Sequence, residues 1–351
     1  MKKYQITEIS GSENHAGTKA TADCAIIAER LGFEKLFLKM ATTKAGSVAK
    51  VQRQIAYCSQ WQAIYRAIAP DSVVLLQEPF HYPQLTREKT LTALKNKKHV
   101  RFVSIIHDVE ELRKFRYNDY YRHEFEFMLR TVDRFIVHNE RMKHFFMERG
   151  VAEDRIVCLG IFDYLQPESD RRMPTFARSV TVAGNLDVTK CGYIRELNQI
   201  GVKVNLFGPN FADEMRGQKN VCYHGSFPAD VIPSKLTEGF GLVWDGSSIH
   251  GCQGDSGQYL RYNNPHKLSL YLSSGLPVII WSEAAEADFV RRNKVGLCVG
   301  DLMELPRILN TISVEDYRKI CENTNNIQKK LSSGYYFESA LKRVTKVNAE
   351  Y

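Results

Sequence analysis

Between Gly239 and Trp281 the chain reads GFGLVWDGSSIHGCQGDSGQYLRYNNPHKLSLYLSSGLPVIIW. An apolar run, Phe240 to Trp244, stops at Asp245-Gly246 and opens into a polar loop rich in Gly and Ser. The spacing predicts a short amphipathic helix after Asn263-Asn264-Pro265-His266-Lys267, with Leu268, Leu270, Tyr271 and Leu272 on its buried face. Gly275 ends that helix, and Pro277 leads into a second apolar run, Val278 to Trp281. Strand, loop, helix, tight turn and strand make one unit of a parallel α/β sheet. Such sheets bind ligands beyond the carboxyl ends of their strands, which is where the loop after Trp244 belongs.

The chemistry of this unit is anion binding. A helix start offers unpaired backbone N–H groups and positive potential. Asn264 suits the N-cap and Pro265 the first helical position. Lys267 falls in the first turn, where a cation is unfavourable unless an anion is present. Read alone, Lys267 is equally well a solvated lysine on a capped helix. Its combination with Gly275-Leu276-Pro277-Val278 is more specific.

These residues resemble the C-terminal domain of bacterial glycosyltransferases of the GT-B fold. The shared phrases are G-x-V-W-D-G at Gly241–Gly246, N-P-x-K at Asn264–Lys267 and Y-x-x-x-G-L-P-V-I at Tyr271–Ile279. The resemblance is greatest to the small galactofuranosyltransferases and to the glucosyltransferases that act on glycosylated adhesins. It is strong over residues 180–300 and looser over the N-terminal half, where H-D-x-E-x-L-R at His107–Arg113 shares a phrase with the same families. The resemblance implies an α/β protein of two Rossmann-like parallel-sheet domains facing across a cleft. It also implies that this segment binds the diphosphate and nucleoside of a nucleotide sugar, with UDP favoured.

A chain of 351 residues suits two domains of ordinary size. Its 44% hydrophobic and 25% charged residues are those of a soluble globular protein. No apolar run approaches the roughly 20 residues that span a bilayer. The start, MKKYQITEIS, lacks the apolar core of a signal peptide. The eight cysteines form no C-x-x-C pair, so reduced thiols in the cytoplasm are expected. Residues 1–163 hold 26 Lys and Arg against 20 Asp and Glu, most of the net charge of +8. A basic first half would suit an anionic membrane face or an anionic acceptor, although +6 over a whole domain is also ordinary. No nucleic-acid module is present.

Strand and helix alternate along the first half. Runs at Tyr4–Ile9, 34–38, 73–76, 100–106, 133–137 and 155–159 read as strands of one parallel sheet. The Gly-containing loop Ser10–Thr18 leads into a helix, a phosphate-loop geometry, but it is neither G-x-G-x-x-G nor a Walker sequence. Residues 163–178 are polar and contain Pro167 and Pro174, which marks a linker. A second series begins at Ser179, with A-G-N-L at Ala183–Leu186. The expected domains are 1–165 on the acceptor side, 178–334 on the donor side, and a terminal helix over 335–351 crossing back. Donor-binding candidates are Gly17, Thr18, Asn185, Gly208, Tyr223, Asp245, Gly246, Tyr262, Asn263, Asn264 and Lys267.

Glycosyl transfer must stabilise a leaving diphosphate, deprotonate the acceptor hydroxyl and align both substrates. The chain has no D-x-D motif, so no metal and no cofactor beyond a UDP-sugar substrate is expected. Helix N–H groups and Lys267 would carry the phosphate charge. An inverting mechanism needs a base, for which Asp108, His15 and Asp23 are the candidates. Asp108 could instead cap the next helix, with Glu110 and Arg113 paired at i,i+3. Asp23 could be a solvated helix residue. The expected activity is transfer of a hexose from UDP-glucose, UDP-galactose or UDP-galactofuranose to a glycan, glycoprotein or lipid-linked acceptor. The competing reading is a glycosyltransferase-like nucleotide-binding scaffold without turnover. Association with the inner face of the membrane and homo-oligomerisation stay open.

Overall fold

The computed structural model describes residues 1–9, 16–167 and 173–346. Among them, twelve strands form two sheets, and neighbouring strands pair in parallel. The first sheet contains β1 (Lys3–Ile9), β2 (Glu34–Lys39), β3 (Val73–Glu78), β4 (Arg101–Ile106), β5 (Arg134–Val137) and β6 (Ile156–Cys158). Their order is β2-β1-β3-β4-β5-β6. The second contains β7 (Thr175–Ala183), β8 (Lys203–Phe207), β9 (Val221–Tyr223), β10 (Glu238–Val243), β11 (Val278–Trp281) and β12 (Gly296–Val299), in the order β12-β11-β10-β7-β8-β9.

Central strands in both sheets are continuous apolar runs because helices cover them on both faces. Val73–Leu76 and Val278–Trp281 are buried throughout. Strand order reverses between β1 and β3 in one sheet and between β7 and β10 in the other. At such switch points the loops leave in opposite directions and open a crevice at the carboxyl edge.

The junction departs from the polar linker expected over 163–178. Asp163 and Tyr164 are buried, and β7 already begins at Thr175. The Asp163 carboxylate accepts from the N–H groups of Tyr336 (3.1 Å) and Phe337 (2.7 Å), at the start of the helix Tyr335–Thr345. That helix lies on the first sheet, and Phe337, Leu341 and Val344 share a core with Val103, Ile136 and Val157. This helix therefore packs on the first unit although it follows the second in sequence. Among the described residues no helix is long and apolar enough to cross a membrane.

Candidate active site

The carboxyl ends of β7 and β10 bring Gly184-Asn185 beside Trp244-Asp245. The helix His266–Ser273 reaches this edge because Tyr271 anchors it. The Tyr271 ring lies flat over Gly241, where a Cβ would come within 2.2 Å of a ring carbon. Its hydroxyl accepts from the Ala183 N–H at 2.7 Å. As expected, Leu268, Leu270, Tyr271 and Leu272 are buried.

Lys267 is not a solvated lysine. Its Nζ donates to the Trp244 carbonyl at 2.7 Å and lies 3.7 Å from Asp245 Oδ2. Burial pulls its pKa down, but Asp245, foremost among several neighbours, outweighs that and the net shift is upward. The ammonium therefore stays charged at the strand end. Asp245 Oδ1 accepts from the Gly246 N–H at 2.9 Å and from Cys191 Sγ at 3.4 Å. On the far side of β7, Asn210 Nδ2 donates to Asn185 Oδ1 at 2.8 Å. Tyr223 Oη donates to the Gly208 carbonyl at 3.0 Å, and its ring stacks on Phe211 with centroids 4.2 Å apart. Six of the donor-site candidates thus share one edge: Asn185, Gly208, Tyr223, Asp245, Gly246 and Lys267.

The other donor-side candidates sit differently. Asn264 is not the N-cap: the helix begins at His266, Pro265 occupies the cap position, and no side chain caps it. Asn264 instead spans to the first unit, where its Nδ2 donates to the Gly160 carbonyl (3.1 Å) and its backbone N–H to His138 Nδ1 (2.9 Å). His138 Nε2 donates to the Ile106 carbonyl at 2.9 Å, and burial holds the ring neutral with a pKa lowered to about 4. The Tyr262 carbonyl accepts from Asn139 Nδ2, and the Tyr262 ring faces Phe145. Asn263 lies on the same turn between the units. Tyr262 and Asn264 thus join the two units, while the Oδ1 atoms of Asn263 and Asn264 are buried with no hydrogen-bond partner among the described residues.

On the first unit, Asp108 follows β4. Its Oδ2 accepts from Arg113 Nη1 at 2.7 Å and its Oδ1 from Tyr259 Oη at 3.2 Å. Tyr259 belongs to the second unit, and its oxygen also accepts from the Val109 N–H at 3.0 Å. Asp108 does not cap the following turn, Glu110–Arg113, which starts from Val109. The expected Glu110–Arg113 pair forms at 3.1 Å, sharing the guanidinium with Asp108. Burial raises the Asp108 pKa against the pull of Arg113. A cavity beside it is lined by Glu78, Asp108, Glu110, Tyr121, Glu124 and Phe125.

Asp23 is neither solvated nor available. It is 1% exposed, and its oxygens accept from Lys19 Nζ (2.8 Å) and the Leu165 N–H (2.9 Å), which ties the helix Ala16–Arg30 to the junction. His15 lies outside the described residues. Gly17 and Thr18 fall in the first turn of Ala16–Arg30, and their side chains are also outside the description.

His107, beside Asp108, is a further candidate. Gln77 Nε2 donates to the Thr21 carbonyl (3.2 Å), which turns Gln77 Oε1 toward His107 Nε2 at 2.8 Å. That places the ring proton on Nε2 and the lone pair on Nδ1. Burial, with smaller contributions from His138, His266 and His81, lowers its pKa to about 3. Its position at the carboxyl end of β4 was the available signal.

Comparison with known proteins shows the family. Residues 3–161 match the glucosyltransferase 3-like N-terminal domain and residues 180–344 the glucosyltransferase 3-like C-terminal domain. The β-1,6-galactofuranosyltransferase WbbI of Escherichia coli (strain K12) is 39% identical over 249 residues, covering 70% of this chain and 71% of that one. This chain belongs to the glucosyltransferase 3-like family. Glucosyltransferase 3 of Streptococcus gordonii is 25% identical over 348 residues, 97% of both chains. The crystal structure of Anabaena HepE in complex with UDP and glucose superposes with a TM-score of 0.59 at 14% identity, over 99% of this chain and 100% of that one. The fold is GT-B, as the sequence phrases implied, and the chain is a hexosyltransferase.

Proposed function

We propose that this enzyme transfers a hexose from a UDP-sugar to a hydroxyl of a glycan, glycoprotein or lipid-linked acceptor, with inversion and without a metal. The observation that carries the donor side is Lys267. Its charged ammonium is held at the carboxyl end of β10, at the switch point with β7, by a carbonyl and one carboxylate. Transfer of those contacts to a diphosphate gives charge-assisted hydrogen bonds where negative charge develops. HepE was crystallised with UDP and glucose, which supports UDP as the nucleotide. The name of WbbI puts galactofuranose first among the hexoses, ahead of glucose and galactose.

Asp108 is the base in this reading. It stands at the carboxyl end of β4, partly exposed toward the second unit, and its raised pKa makes it a better proton acceptor than an ordinary carboxylate. Asp23 leaves the list because it is buried and bound into the junction through Lys19 and Leu165, whereas Asp108 is partly exposed. His107, neutral with Nδ1 unprotonated, is the second candidate.

The test is turnover of UDP-galactofuranose, UDP-galactose and UDP-glucose in EDTA, followed by NMR of the product anomer. Transfer from one of them with inverted configuration supports the reading. Loss of activity on chelation with rescue by Mg²⁺, or retention of configuration, refutes the metal-free or the inverting part respectively.

A further inference from the structure

The net charge of +8 is confined to one stretch. Residues 39–101 hold 11 Lys and Arg against 3 Asp and Glu, and the rest of the chain holds 37 of each. This stretch builds the helices Ser47–Ala67 and Arg87–Lys98, which pack against each other on the first sheet. The longer helix contains no acidic residue.

Its buried face, Ala49, Tyr57, Trp61 and Ile64, accounts for its place in the fold. Its outward face begins with Val48, Val51 and Ile55, which are 74%, 58% and 67% exposed. Gln54 extends this patch by gripping the loop after β3: its Nε2 donates to the Pro83 carbonyl (2.7 Å) and its Oε1 accepts from the Leu85 N–H (3.0 Å). Leu85, 81% exposed, and Tyr82 are thereby set beside the helix. Lys44 and Lys50 are exposed around the patch, and Arg53 is held there by the carbonyls of Thr42 and Lys44. Glu88, on the neighbouring helix, is engaged by His123.

Among the described residues Lys44, Lys50 and Arg53 form no ion pair, and the branched aliphatic side chains near them stand in water. They match a surface that is negative outside and apolar beneath. We propose that this face docks on an anionic phospholipid bilayer, with Val48, Val51, Ile55 and Leu85 entering the headgroup region and Lys44, Lys50 and Arg53 meeting the phosphates. The patch follows the carboxyl ends of β2 and β3, on the same edge of the sheet as Asp108. A membrane held there presents a lipid-anchored substrate to that edge. Docking does not depend on the sugar or the base assigned above.

The experiment is flotation of the full chain with vesicles of phosphatidylcholine alone and with vesicles containing phosphatidylglycerol. Wild type is expected to float only with the latter, and less as salt rises. Lys44→Gln with Lys50→Gln should lower the affinity about 25-fold, roughly fivefold per lysine. Val51→Ser with Ile55→Ser should abolish flotation while melting temperature and hydrolysis of donor stay as in wild type. No binding to phosphatidylglycerol vesicles at low salt overturns the proposal, as does unchanged binding in both double variants. A dimer in sedimentation that Ile55→Arg dissociates, without vesicle binding, assigns the patch to a second copy of the chain and also overturns it.

Discussion

Tyr259 of the second unit and Asp108 of the first are joined by a hydrogen bond of 3.2 Å, and the same Tyr259 oxygen accepts from the Val109 N–H at 3.0 Å. The candidate base is thus oriented by the opposite wall of the cleft, and only when the two units are together. Asp108→Asn should lower kcat by roughly 10²–10⁴-fold with UDP affinity nearly intact. Activity requires the ionised carboxylate, so kcat/KM should rise with pH through the Asp108 pKa and level off above it. The Tyr259 hydrogen bond favours the ionised form. Tyr259→Phe should therefore move the rising limb to higher pH, whereas a purely structural tyrosine would scale the profile without moving it.

Lys267→Ala should weaken UDP binding by roughly 10- to 150-fold, the loss of a charge-assisted bond worth about 1.5–3 kcal/mol. Uridine should bind as before. On the sequence pattern alone, deleting a cation from a helix start would hold or raise the melting temperature. The structure reverses that sign, because the deletion strands the Trp244 carbonyl and the Asp245 carboxylate. A fall of a few degrees, with titration calorimetry using UDP and uridine, tests both parts. Equal UDP affinity would leave Lys267 a structural tether only.

Glu286 is buried, accepts from Asn139 Nδ2 at 2.9 Å across the interface, and has its pKa raised by burial to about 8. A carboxyl that holds its proton more tightly when folded stabilises the fold below its unfolded pKa, near 4.5. That contribution is lost as pH rises to about 8. Glu286→Gln should therefore melt several degrees above wild type at pH 8 and close to it at pH 4.5. Parallel melting curves across that range would show that Glu286 does not titrate in this window.

Gly208 has φ +146°, and a Cβ there would stand 1.7 Å from the Gly184 carbonyl oxygen. Backbone cannot yield as a flexible side chain would. Gly208→Ala should cost about 2 kcal/mol or more and displace the Asn185 loop at the donor edge. A lower melting point together with weaker UDP binding is the expected pair. Unchanged stability would show that the β7 and β8 ends can separate freely.

Asn139→Ala removes two things at once: the cap of the helix Glu140–Met147, where Asn139 Oδ1 accepts from Arg141 and Met142, and the interface bonds to Tyr262 and Glu286. A cap alone is worth about 1 kcal/mol. A larger loss, with small-angle scattering showing the two units apart, would assign the excess to the interface.

Local pattern carried much of this protein. Short apolar runs that alternate with helical stretches determine parallel sheets. The rule that such sheets bind at strand ends puts Asn185, Gly208, Gly225 and Asp245 on one edge, and the helix start places Lys267. The helix Tyr335–Thr345 was visible for the same reason, because its apolar residues recur at helical spacing. What failed was every role decided by a residue distant in sequence. Asn264 precedes a proline-led helix and reads as a cap, yet His138 and Gly160, more than 100 residues earlier, accept from its backbone N–H and its Nδ2. Asp23 reads as a surface residue until Leu165 covers it. Asp108 reads as a lone acid after a strand until Tyr259 reaches it from the other unit. Hydrophobic periodicity reports which face of an element is buried, and short-range chemistry reports which turns it can make. Only the tertiary structure decides which buried polar group meets which partner, because each such bond forms only where the fold brings the two together.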